Sequence, residues 1–92
     1  MESIIQKEKE CFLCKSPYVH KHHIFYGTAN RKLSEQDGLT VWLCPMHHNA
    51  SRFGVHFNID LDDDLKQLAQ SKWEETYGTR EEFIKRYGKN YL

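Results

Sequence analysis

Apolar residues recur at clear helical spacing in the second half of the chain. Leu61, Leu65, Leu68, Ala69 and Trp73 fall three or four residues apart, the stripe that one face of an α-helix buries. Asp60 is available as the N-cap and Gly78 as the residue after the end. A shorter helix is predicted next: Thr79 to Glu82 matches the capping box, Phe83, Ile84 and Tyr87 supply apolar positions, and Gly88 closes it. Upstream the pattern changes. Val19 to Phe25 alternates imperfectly and reads as a short strand whose face changes at the paired His22 and His23. Leu39 to Leu43, rich in β-formers between Gly38 and Pro45, reads as its returning partner. Tyr26 to Gly38, polar and carrying Gly27, Asn30 and Gly38, is expected to be a broad loop. Pro45 suits the first turn of a helix, expected to carry His47, His48 and Arg52 and to end near Gly54. Cys11 to Tyr18 reads as a knuckle with turn chemistry at Lys15 to Pro17. Met1 to Glu10 is a charged arm with one apolar pair, Ile4 and Ile5. Trp42, Trp73, Phe83 and Tyr87 follow the strand and helix periodicities and are expected in the core.

These elements describe a small α+β domain: an arm over 1–10, a core over 11–59, and a helical extension over 60–92. A chain of 92 residues leaves no room for a second core. It is 39% hydrophobic with a mean hydropathy of -0.76. There is no apolar run near the roughly 20 residues that span a bilayer and no signal-peptide pattern, so a soluble, unexported protein without a membrane partner is expected. Three cysteines cannot all pair, and two of them form a C-x-x-C unit; metal ligation in a reducing compartment accounts for them better than a disulfide framework.

The formal net charge is zero, which argues against a non-specific nucleic-acid coat protein. Charge is nevertheless uneven. From Cys11 to Ile59, Lys15, Lys21, Arg31, Lys32 and Arg52 outnumber Glu35 and Asp37, whereas acidic residues prevail from Asp60 onward. The basic side of the molecule is the one that carries the cysteines and histidines.

Cys11 and Cys14 at C-x-x-C spacing, with Cys44 and His47 at C-x-x-H spacing, supply the two ligand pairs of a closed tetrahedral zinc site. In so small a domain such a site contributes directly to folding. Four reduced cysteine and histidine side chains without a metal would be the plainer account, but they would leave the paired spacing unused. In a strand, His20 and His22 share a face and His23 points to the other. Adjacent rings can therefore serve a metal and a substrate separately: a metal ion stabilises the leaving oxygen of a phosphodiester, and a neutral imidazole with an ordinary pKa of about 6.5 takes a proton from water. Arg31, Lys32 and Arg52 are candidate phosphate contacts. Asp60, Asp62, Asp63 and Asp64 fit helix capping and the macrodipole better than cation binding.

The order His22-His23-Ile24, a connecting segment, a β-rich stretch ending Leu43-Cys44, then Pro45-Met46-His47-His48-Asn49 resembles the HNH nuclease family, in particular its zinc-stapled phage and bacterial members and the phage recombination-enhancing nucleases. The likeness covers about Cys11 to Asn58. It implies a ββα-metal core around one catalytic divalent ion, be it magnesium, manganese, nickel or zinc, in addition to the structural zinc. It implies His23 as the general base, His22 and His48 as ligands of the catalytic ion, and DNA as the partner, in the cytoplasm of a bacterial host. His56 is a further candidate ligand, with a phosphate contact and a structural role as its alternatives; His20 is expected in solvent or beside the zinc. One departure from the pattern is the central Asn, whose place is taken by Asp37-Gly38-Leu39; the alternatives are replacement by Asn30 or Asp37, or loss of the role. With zero net charge, a second copy or a phage DNA-processing partner is the expected aid in holding DNA. The rival readings are a zinc-finger module that binds nucleic acid or protein without cutting, and a weakly active component of a phage DNA-processing assembly.

Overall fold

The computed structural model describes residues 2–48, 54 and 58–92. Two strands, β1 (His20–His23) and β2 (Thr40–Leu43), form an antiparallel pair with His20 opposite Leu43 and His23 opposite Thr40. Helix α1 (Thr28–Asp37) connects them, α2 (Pro45–His48) follows β2, and α3 (Ile59–Thr76) and α4 (Arg80–Tyr87) complete the α+β fold among the described residues. The core joins the sheet to the last two helices: Ile24, Phe25, Leu39, Val41 and Leu43 meet Leu65, Ala69, Trp73, Phe83 and Tyr87. Aromatic rings carry much of that junction, with Phe25 4.8 Å from Tyr87 and 5.4 Å from Phe83, centre to centre, separations at which tilted pairs attract beyond their buried area. No helix among the described residues is long and apolar enough to cross a membrane.

The expectation of a broad loop over Tyr26 to Gly38 is corrected: most of it is α1. Ala29, Arg31, Lys32, Leu33, Glu35 and Gln36 are good helix formers, yet the segment lacks the apolar stripe by which helices are recognised. Polar bonds hold it instead. The buried Ser34 hydroxyl donates to Phe25 O at 2.8 Å and accepts from Phe25 N at 3.1 Å. At the end of the helix, Asp37 is a buried acceptor: Oδ2 takes Trp73 Nε1 (2.9 Å), Tyr87 Oη (2.8 Å) and Arg86 Nε (2.6 Å), and Oδ1 takes Arg86 Nη2 (2.8 Å). Gly38 then ends α1 in the left-handed conformation, φ 72°, which glycine adopts at no steric cost. A Cβ there would lie 2.5 Å from Glu2 O, so the site needs glycine twice over.

That close approach arises because the arm docks on β2. Ile4 N donates to Gly38 O at 2.9 Å, Gln6 Oε1 accepts from Trp42 N at 2.8 Å, and Ile4 and Ile5 pack against the core. The open edge of β2 is thereby satisfied within the chain. Three further expectations change. Asn58, not Asp60, caps α3, accepting from Leu61 N at 3.1 Å, while Asp60 and Asp62 sit in the first turn. The strands are shorter than Val19–Phe25 and Leu39–Leu43. Trp42 is half-buried rather than a core residue, with Lys9 Nζ 5.0 Å from its ring centre. The capping box at Thr79 and Glu82 and the left-handed Gly88 are present as expected. The predicted continuation of α2 towards Gly54 lies largely outside the described residues.

Candidate metal centre and adjoining histidine cluster

The knuckle presents its two cysteines through a tight turn. Cys11 N donates to Ser16 O at 2.9 Å, Lys15 N donates to Cys11 O at 2.8 Å, and Lys15 takes a left-handed φ of 64°. Facing it, the first turn of α2 lets His47 N and His48 N donate to Cys44 O, placing Cys44 and His47 on one side. The four ligand atoms of Cys11, Cys14, Cys44 and His47 all lie within 4.8 Å of one another. Cys14 Sγ is 3.6 Å from Cys44 Sγ, and His47 Nδ1 is 3.6 Å from Cys11 Sγ and 3.2 Å from Cys44 Sγ. A tetrahedral zinc with bonds of about 2.3 Å to sulfur and 2.0–2.1 Å to nitrogen has edges of about 3.5–3.8 Å. The donor set and its spacing therefore fit a structural zinc, and the four residues can hold a metal ion.

The thiols favour a cation electrostatically. Burial pushes Cys11 up, but backbone hydrogen bonds at Cys44, Cys14 and Leu13 outweigh it and bring the thiol down to about 6. At Cys14 the backbone of Ser16 pulls downward, yet desolvation and the neighbouring Cys11 and Cys44 sulfurs prevail and push the thiol up. Crowded sulfurs oppose one another's ionisation, and a divalent ion among them removes that opposition.

His48, next along α2, turns away from His47 by about 100° and meets β1. Its ring centre lies 5.3 Å from that of His22 and 5.8 Å from that of His20, so the strand alternation that puts His20 and His22 on one face is observed. His22 is buried and His20 exposed. Two imidazoles bound to one ion through nitrogens at about 2.1 Å have ring centres roughly 5 Å apart, so the spacing of His22 and His48 is compatible with a shared metal. The Tyr26 ring centre stands 6.0 Å from that of His22.

His23 faces the other way. Its Nε2 is 3.0 Å from Glu35 Oε1 on α1, and Lys21 Nζ is 3.3 Å from the same oxygen. The hydrogen bond with His23, with Lys21 beside it, holds the Glu35 carboxyl down to about 2. A carboxylate only accepts, so His23 Nε2 is the donor. His23 nevertheless borders the cleft of about 220 Å³ that His22, His48, Tyr26 and Arg31 also line. A larger groove of about 760 Å³ runs along α1 past His23, Thr28, Arg31, Lys32 and Glu35.

The structure thus brings together Cys11, Cys14, Cys44 and His47 as one group and His22 with His48 as another, with His23 and Arg31 bordering the second. Lys32 lines the α1 groove but not the smaller cleft. Arg52 and His56 lie outside the described residues. Neither candidate for the central Asn joins the histidines: Asn30 Nδ2 donates to Tyr87 O at 3.3 Å, and Asp37 is engaged with α3 and α4. Sequence reasoning missed Glu35, because a segment read as a loop gives no reason to align it with Arg31 one helical turn away. It also missed Tyr26, for which no sequence signal stood out. Comparison of the chain with family models, curated proteins and solved structures gives no match.

Proposed function

We propose that the protein is a metal-dependent DNA endonuclease of the HNH, ββα-metal type. The observation that carries this reading is the apposition of His22 and His48, 5.3 Å between ring centres, beside a Cys3His group whose His47 precedes His48 on α2. A binding finger needs only the Cys3His group. Paired imidazoles on strand and helix, with His23 bordering the same cleft, add the parts that phosphodiester hydrolysis requires. In this reading His22 and His48 hold the catalytic divalent ion, which when bound stabilises charge on the leaving oxygen. His23 takes a proton from the water that attacks phosphorus, and the bond from phosphorus to the leaving oxygen breaks as the new one forms. Arg31, which borders both the small cleft and the α1 groove, pairs with the scissile phosphate, and Lys32 follows the backbone further along the groove. The chain carries zero net charge, so a second copy or a DNA-processing partner supplies further phosphate contacts.

A plasmid-cleavage assay with magnesium, manganese, nickel and zinc tests the reading. Wild type is expected to cut with at least one of them, and His23→Ala to be slower by about 10²–10⁴-fold, the usual worth of a general base, with zinc content and circular dichroism unchanged. Undiminished cutting by purified His23→Ala refutes the role of His23. A wild type that binds one zinc and cuts nothing with any ion is a binding module.

A further inference from the structure

The α1 groove is lined by Arg31 and Lys32, suited to a polyanion, yet Glu35 stands among them. A carboxylate there repels a phosphate backbone unless it is occupied otherwise. It is occupied: Glu35 Oε1 lies 3.0 Å from His23 Nε2, and Lys21 lies 3.3 Å from the same atom. Helix geometry fixes this relation. Glu35 sits one turn after Arg31 on α1, between a Ser34 locked to both backbone groups of Phe25 and an Asp37 locked to α3 and α4. The carboxylate is thus presented from a rigid element to a ring on a paired strand. An imidazole has two nitrogens, and the bond made by one decides which of them carries the proton.

We propose that Glu35 is the positioning residue for His23, holding the imidazole as its Nε2–H tautomer so that Nδ1 is the nitrogen that accepts the proton of the attacking water. This rests on the nuclease reading for its consequence, though not for its geometry. The carboxylate does not exchange its own proton in the step; it orients the ring and stabilises the imidazolium that forms when Nδ1 is protonated, as an acidic partner does for a catalytic histidine elsewhere. The alternative is an exposed ion pair of Glu35 with Lys21 and His23 that matters little to either ring nitrogen.

Long-range ¹H–¹⁵N correlation spectra of the zinc-loaded full chain at about pH 8, where an ordinary histidine is neutral, separate the two. Wild type is expected to show His23 as a single Nε2–H tautomer. In Glu35→Ala, and in Glu35→Gln whose amide can either accept from or donate to Nε2, the His23 pattern should shift to a mixture, while that of His20 does not. In the cleavage assay both variants should lose about 10–100-fold in kcat with KM little changed, the range seen when the partner orienting a functional histidine is removed. A wild-type His23 in the Nδ1–H form overturns the proposal, as does a Glu35→Ala chain that keeps the single Nε2–H pattern or cuts at the wild-type kcat. If wild type cuts no DNA with any ion, the nuclease reading falls, and the tautomer spectra alone decide whether Glu35 sets the protonation of His23.

Discussion

Replacing Asp37 with Ala removes the acceptor on which four hydrogen bonds from three side chains converge. Two of the donors, Trp73 Nε1 and Tyr87 Oη, belong to buried residues, and both bond Oδ2, at 2.9 and 2.8 Å. Left without a partner, each costs about 1–3 kcal/mol. Arg86 is the third, and its side chain is 33% exposed. It can turn to water, so its Coulombic share is discounted strongly. The expected loss is about 3–5 kcal/mol, the range found when one member of a buried charged network is deleted. A chain of 92 residues has roughly 5–14 kcal/mol of stability in all, so the variant sits near the edge of folding, with its melting temperature lowered by roughly 12–40 °C at about 4–8 °C per kcal/mol. Urea unfolding of the zinc-loaded protein, followed by circular dichroism, measures this directly. Asp37→Asn keeps the shape and one acceptor oxygen and should lose less. A loss below about 1 kcal/mol for Asp37→Ala, at unchanged urea dependence, would refute the view that this carboxylate joins α1 to α3 and α4.

Removal of zinc with a chelator, or Cys11→Ser, should abolish the cooperative unfolding transition, because a site of this kind contributes about 10–16 kcal/mol of binding energy to small zinc modules; one zinc per wild-type chain by atomic absorption is the companion measurement. Gly38→Ala should cost about 1–3 kcal/mol in urea unfolding, since the residue would have to hold φ 72° and meet Glu2 O at 2.5 Å. The pH dependence of Glu35 has a definite sign. Its folded pKa of about 2 lies below the unfolded value of about 4.3, so its stabilisation is fully present above about pH 4.3 and is lost as pH falls towards 2. At matched zinc content, the urea midpoints of wild type and Glu35→Gln should converge as pH falls from about 4.3 towards 2.

The Cys3His group was legible because each pair comes from one turn of chain: Cys11 with Cys14, Cys44 with His47. Strand alternation likewise assigns His20 and His22 to one face and His23 to the other. α3 and α4 announced themselves by an apolar stripe and by a capping box. α1 did not, because its stability is neither local nor apolar. Ser34 finds its partners nine residues back, and Asp37 finds its donors at Trp73, Arg86 and Tyr87. A periodicity of hydrophobic residues cannot show a helix held by long-range hydrogen bonds, and with the helix hidden Glu35 could not be aligned with His23. The arm and Trp42 were misjudged for a related reason. A side-chain amide, Gln6, takes the place of a third strand at the edge of β2, and no alternation in residues 2–10 signals it.

The Cys3His group and the pair of His22 and His48 meet in adjacent residues of α2. His47 and His48 are neighbours on a single turn of helix, so the direction of one ring fixes that of the other to about 100°. His47 N and His48 N both donate to Cys44 O, so the turn that carries the two rings is tied to the cysteine that precedes it. Cys44 and His47 lie beside Cys11 and Cys14 of the knuckle, so the turn that presents His48 to His22 is continuous with the Cys3His group. A metal bound by the Cys3His group would hold Cys44 and His47 together and so fix the turn from which His48 projects.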